Sequence, residues 1–158
     1  MVEEELYRLL SKKGKTLATA ESCTGGLVAH RLTNVPGISE VFLLGVVSYS
    51  NPAKVKVLGV DVDVLAKAGA VSAEVARQMA EGVRELAGSD LGIGITGIAG
   101  PTGGSREKPV GTVYMGLSFP ESGNTETRRF QFDGDRQAIK FRTSEAALKW
   151  LCEALAGS

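Results

Sequence analysis

Apolar periodicity switches repeatedly between a helical spacing of 3.6 and a strand spacing of 2 along the chain, which restricts it to a sheet with helices on its faces. Val2 to Lys12 places Leu6, Leu9 and Leu10 on one helical face, with Gly14 as the stop, and Thr16 to Ala20 follows as a short strand. Ser22 or Thr24 can cap the next helix, whose apolar positions Leu27, Val28 and Leu32 keep helical spacing until Asn34 and Pro36-Gly37. Val41 to Val47 reads as a strand buried on both faces. Asn51 caps a short helix from Pro52 to about Leu58, and Ser72 opens a longer one closed by Gly88. Leu91 to Thr96 returns as a strand. Thr112 to Phe119 and Thr125 to Phe132 are joined across Glu121-Ser122-Gly123-Asn124, a polar turn suited to an antiparallel hairpin. Gly134-Asp135 starts a last helix carrying Ile139, Phe141, Ala146, Leu148 and Leu151. The expected fold is α/β, with a mixed, mostly parallel sheet covered on both faces and a late antiparallel hairpin.

No linker, composition break or internal repeat divides the 158 residues, so one domain is expected, burying about 70% of the surface of its unfolded chain. Eighteen Lys+Arg balance eighteen Asp+Glu, which argues against a basic nucleic-acid surface. The apolar run Val41 to Val47 is far short of the ~20 residues of a membrane helix, and Val2-Glu3-Glu4-Glu5 is acidic where a signal peptide is basic. A cytoplasmic protein with no membrane partner is expected. Cys23, Cys152 and the single histidine His30 assemble no familiar zinc spacing, so no metal is expected.

Three loops leave the carboxyl ends of predicted strands, where ligands bind in such sheets. In the first, Glu21-Ser22-Cys23-Thr24-Gly25-Gly26, a hydroxyl and a thiol precede two glycines at a helix start, where free N–H groups favour an anion or a developing oxyanion. Ser22 there is a nucleophile or simply, like Thr24, a cap. Cys23 is the stronger nucleophile if the helix lowers its pKa, or a small buried filler. His30, eight residues after Ser22, lies roughly 12 Å away along a helix, too far to be its base.

Lys54, in the second loop, falls in a first helical turn, where the dipole disfavours a cation. It is either a solvated charge or, with its pKa lowered by that field and by burial, a general base, with Tyr49 assisting. The third loop, Gly97 to Pro109, supplies Gly100, Gly103 and Gly104 for backbone donors and Ser105, Arg106 and Lys108 for charge, which suits a phosphate or carboxylate. Arg136, in the first turn of the last helix, is a second anion clamp or an exposed helix-start residue.

These segments together resemble the CinA C-terminal domain family, the nicotinamide-mononucleotide amidohydrolases also called competence/damage-inducible protein CinA. The resemblance rests on Ala20-Glu21-Ser22-Cys23-Thr24-Gly25-Gly26, Tyr49-Ser50-Asn51 with Lys54, and Gly69-Ala70-Val71-Ser72. It continues through Thr96-Gly97-Ile98-Ala99-Gly100-Pro101 with Gly103-Gly104, Lys108-Pro109-Val110-Gly111-Thr112-Val113, and Gly134-Asp135-Arg136. It implies a three-layer α/β/α sandwich that hydrolyses the carboxamide of nicotinamide mononucleotide to nicotinic acid mononucleotide and ammonia, without a cofactor. Ser22 is then the nucleophile, Lys54 the base and Tyr49 an assisting residue. Thr24, Gly25, Gly26, Thr96, Gly97, Gly100, Gly103, Gly104 and Arg136 bind the substrate. The resemblance also implies a homo-oligomer and the stand-alone form, lacking the N-terminal domain of many members. The alternative is a nucleotide-binding or sensor module that uses the same cleft without catalysis.

Overall fold

Leu17–Glu21 (β1) is buried along its whole length because it lies between two parallel neighbours and under helices on both faces. The computed structural model describes residues 1–158. One neighbour is Phe42–Val47 (β2), the other Leu91–Gly97 (β3), beyond which Thr112–Ser118 (β4) and Glu126–Gln131 (β5) add antiparallel. The sheet order is β2-β1-β3-β4-β5, so every strand except β4 runs in one direction.

Helices Val2–Lys13 (α1), Leu27–Thr33 (α2) and Arg136–Ala156 (α6) cover one face. Their Leu6, Leu10, Val28, Leu32, Leu148 and Leu151 meet Leu17, Ile93 and Met115 of the sheet. Asn51–Leu58 (α3), Val62–Ala68 (α4) and Ala73–Ala87 (α5) cover the other, where Val75, Met79 and Val83 pack on Ala18 and Ala20. The result is the three-layer α/β/α arrangement. The connection after β1 passes to one face of the sheet through α2 and the connection after β2 to the other through α3, and the crevice between them opens at the carboxyl end of β1, beside Ser22.

Two expectations change. β2 is an edge strand rather than one buried on both faces, and its exposure alternates, with Leu43 and Val47 about half exposed. A run of apolar residues cannot by itself distinguish an edge from a centre. Phe141 faces solvent and lies under the Arg31 guanidinium, 5.1 Å from its ring centroid, instead of entering the core. Helix α4 leaves no mark in the sequence pattern, because its seven residues are too few for a periodic signal. Part of the glycine cluster has a packing role: a Cβ on Gly92 or Gly94 would stand 2.3 or 2.6 Å from carbonyl oxygens of α5, so these glycines let that helix lie directly on the sheet.

A candidate active site around Ser22 and Lys54

The chain leaves β1 at Ser22 and turns through Gly25 and Gly26, both at positive φ, before α2 starts at Leu27. Neither Ser22 nor Thr24 caps this helix. The Glu21 carboxylate does so, accepting from the N–H groups of Val28 at 2.9 Å and Ala29 at 3.0 Å and from the Thr24 hydroxyl at 2.6 Å. A charged acceptor at a helix N-terminus outcompetes a hydroxyl, because it satisfies several donors and meets the favourable end of the dipole. Two consequences follow. The α2 terminus is already occupied by a protein anion, and Ser22 is left free for another partner. Thr24, Gly25 and Gly26 accordingly lie behind the cleft rather than in its lining, against the sequence expectation.

That partner is Lys54. Ser50, not Asn51, caps α3, its Oγ accepting from the Ala53 N–H at 3.2 Å, and Pro52 stands in the first turn. Lys54 therefore comes one turn into the helix and points inward, only 2% exposed. Its Nζ lies 3.1 Å from Ser22 Oγ and donates to the Ser48 carbonyl at 3.0 Å. No carboxylate pairs with it, and burial pushes its pKa below the ordinary lysine value of 10.5. A neutral amine has two N–H groups and one lone pair. With one N–H on Ser48, the lone pair can accept the Ser22 proton, which is the geometry of a general base and its nucleophile.

Ser22 and Lys54 stand in a cleft of about 280 Å³ lined also by Tyr49, Asn51, Thr96, Gly97, Gly100, Gly103 and Arg136. Arg136 crosses its mouth, donating to the Tyr49 hydroxyl at 2.9 Å and to the Gly100 carbonyl. Tyr49 is thus engaged by Arg136 rather than by the serine or lysine, and its exposed ring forms a lip. The Thr96 hydroxyl donates to the Ala70 carbonyl at 2.8 Å, which fixes the segment that brings Ala70 and Val71 to the wall. Along the glycine loop, the N–H groups of Ala99, Gly100, Thr102 and Gly103 have no backbone acceptor and border the cleft, as does that of Cys23 beside the serine.

Several candidates serve elsewhere. Gly104 is outside the lining, where a Cβ would meet the Val110 nitrogen at 2.7 Å, so it permits a close turn. Lys108 donates to the carbonyls of Ala68 and Val71 and pins that wall rather than facing a ligand. The Ser105 hydroxyl accepts from the Lys108 N–H, Arg106 is exposed beyond the lining, and His30 is exposed outside the cleft. Asn51, Ala70, Val71, Ile98, Ala99 and Thr102 line the cleft and are not among the ligands expected from sequence. The Gly69-Ala70-Val71-Ser72 motif is the available signal for two of them, but Ala and Val carry no chemistry that points to a site.

Cys23 lines the cleft but its thiol is buried and pushed up to about 12, chiefly by desolvation. At neutral pH such a thiol is almost wholly protonated, unlike the low-pKa cysteines that act as nucleophiles. Cys23→Ala should change kcat/KM by less than about threefold for any substrate whose turnover Ser22→Ala abolishes. A loss near that of Ser22→Ala would mean that the thiol, not the hydroxyl, is the nucleophile.

The fold and the cleft define an α/β domain with a cleft at the carboxyl ends of its parallel strands and a buried serine-lysine pair within it. Residues 1–155 match the CinA C-terminal domain, and the chain belongs to that family. A Moorella thermoacetica protein whose name describes it as competence-damage inducible is 58% identical over 147 residues, 93% of this chain and 35% of that protein. A CinA-like protein of Kosmotoga olearia is 53% identical over 154 residues, 98% of this chain and 37% of its own length. The chain thus spans about a third of the length of these relatives. Among solved structures, a competence-damaged protein (CinA) superfamily protein from Klebsiella pneumoniae is similar with a TM-score of 0.94 at 38% identity, covering 99% of this chain and 97% of that one. A competence/damage-inducible protein from Agrobacterium tumefaciens gives 0.90 at 40% identity, covering 98% and 95%. No helix of the protein is long and apolar enough to cross a membrane.

Proposed function

We propose that the protein is an amidohydrolase that converts nicotinamide mononucleotide and water to nicotinic acid mononucleotide and ammonia. The observation that carries this reading is the 3.1 Å contact between Ser22 Oγ and a buried, carboxylate-free Lys54 Nζ at the end of β1. The choice of substrate rests on the family resemblance. Ser22 Oγ attacks the carboxamide carbon as neutral Lys54 takes its proton, and the resulting ammonium returns that proton to the amide nitrogen, which departs as ammonia. Water, deprotonated by Lys54, then cleaves the ester and restores Ser22. Direct attack by a water that Lys54 activates, with Ser22 positioning the amide, uses the same residues. Capture of an acyl group on Ser22 distinguishes the two routes.

By sequence, the oxyanion donors fall among Thr24 to Gly26. In the fold Glu21 occupies the end of α2, and the Gly25 N–H donates to the Ser22 carbonyl at 3.0 Å. The Cys23 N–H, next to the nucleophile and without a backbone acceptor, is the better donor. Gly97, Gly100 and Gly103 bring backbone against the ligand, Thr96 holds the Ala70 wall, and Tyr49 with Arg136 covers the mouth. No cofactor enters this scheme. A homo-oligomer belongs to the same reading, supported by the uncharged outer edge of β2.

Ammonia release from nicotinamide mononucleotide by the purified protein tests the proposal, with Ser22→Ala assayed alongside. Turnover by the parent and its loss in the variant, with nucleotide binding retained, is the expected result. A parent protein that binds the nucleotide and releases no ammonia would instead be a binding or sensor module.

A further inference from the structure

The cations around the cleft differ in whether the protein holds them. Lys54 is bound to Ser22 and Ser48, Lys108 to two carbonyls, Arg136 to Gly100 and Tyr49, and Arg142 to the Asp133 carbonyl. Lys140 is the exception. It lies on α6 one turn after Arg136, so both side chains leave the same face about 6 Å apart along the axis. Its Nζ is 3.7 Å from where a Cβ would stand on Gly25, against the loop that carries Ser22, and its charge acts on the Cys23 thiol. The side chain is half-buried, makes no hydrogen bond and pairs with no carboxylate. Glu21, the acid beneath that loop, has its oxygens filled by the Thr24 hydroxyl and the N–H groups of Val28 and Ala29.

A half-buried ammonium without a counter-ion, just outside the lining of the cleft and one turn from the arginine at its mouth, is complementary to an anionic group of the substrate that extends past that mouth. We infer that Lys140 binds the phosphate monoester of the substrate and, with Arg136, forms a two-cation clamp along one face of α6. This inference rests on the amidohydrolase reading and adds the group that distinguishes a nucleotide from its nucleoside. Arg136 spends two of its donors on Tyr49 and Gly100 and so fixes the clamp, while Lys140, with all three donors uncommitted, carries most of the selectivity for the charged ligand.

Two measurements on the parent, Lys140→Met and Lys140→Arg test it: steady-state kinetics with nicotinamide mononucleotide, and calorimetric binding of ribose 5-phosphate, which needs no turnover. Lys140→Met should raise KM for the nucleotide and Kd for ribose 5-phosphate by about tenfold or more, with kcat within about twofold, and Lys140→Arg should recover most of the loss. Unchanged affinities with a lowered Tm in Lys140→Met would overturn the inference and leave Lys140 as a distant counter-charge to Glu21. Should the parent release no ammonia yet bind ribose 5-phosphate through Lys140, the amidohydrolase reading fails and the phosphate site stands. Hydrolysis by the parent with an unaltered KM in Lys140→Met would do the reverse, keeping the amidohydrolase and removing Lys140 from its phosphate site.

Discussion

Lys54→Met is expected to slow amide hydrolysis by about 10²–10⁴-fold while leaving the protein at least as stable as the parent at neutral pH. The two effects have one cause. Burial without a carboxylate partner makes the ammonium costly, so the amine loses its proton below its ordinary value of 10.5. Between the lowered folded pKa and 10.5 the unfolded chain binds a proton that the folded chain does not, so the parent's stability rises with pH across that window. Below the folded pKa the desolvation cost is fully present. Methionine keeps an unbranched stem and removes the cost, together with the hydrogen bonds to Ser48 and Ser22. The parent's rate should rise with pH as Lys54 loses its proton, with the midpoint below 10.5, and that limb should vanish in the variant. Thermal unfolding and pH-rate profiles of both proteins check this. A Tm lowered by many degrees with activity retained would make Lys54 a structural residue.

Arg31→Met should have the largest effect on stability, a loss of about 3–5 kcal/mol, because removing one partner strands a buried charge. Arg31 joins three helices. Its Nε and Nη2 donate to both oxygens of Glu3 in α1 at 3.0 and 3.1 Å, while Nη1 reaches the Ser144 hydroxyl in α6 at 2.8 Å and Nη2 also meets Glu145. Arg31 and Glu3 are 7% and 4% exposed, so little solvent screens them. The hydrogen bond to Arg31 holds the Glu3 carboxyl below its ordinary 4.5 despite burial, which acts in the other direction. Its contribution is therefore fully present above pH 4.5 and lost as pH falls through the lower, folded value. The stability difference between parent and variant should be widest near neutrality and shrink in acid. Urea unfolding at pH 7 and pH 3.5 measures it, and a difference independent of pH would remove the ion pair from the explanation.

These two residues are not equally visible in the sequence. Lys54 stands out because a cation in a first helical turn opposes the dipole, and the short distance from cap to lysine is a local property. Arg31 sits three residues after Val28 and next to Leu32, within the buried stripe of α2, where spacing alone assigns a surface charge that interrupts an apolar face. Its partners are more than twenty residues away in one direction and more than a hundred in the other. The same limit explains the Ser22 loop. Ser and Thr before a helix are the usual caps, yet a carboxylate delivered by the last residue of β1 reaches two α2 amides and displaces them from that role. Part of the candidate site is legible for a related reason: Gly100 and Gly103 sit in a loop, entered from Gly97 at the end of β3, too long and glycine-rich for a simple connection. Gly104 in the same loop answers only to the nearby Val110 backbone, a contact no local pattern reports.

By itself, the sequence determined the alternation of helices and strands, the closing hairpin, and the three loops that leave the carboxyl ends of β1, β2 and β3 with Ser22, Lys54 and a run of glycines on them. These are consequences of which side chains are apolar and where the chain can turn, both readable within a few residues. Tertiary structure alone decided that β2 is an edge, that Glu21 fills the α2 terminus, that Arg136 closes on Tyr49 and Gly100, and that Lys54 meets Ser22 across 32 residues of chain. Each of these depends on which polar groups lose water and which partner then replaces it, and that is set by what packs over a residue rather than by its neighbours in sequence.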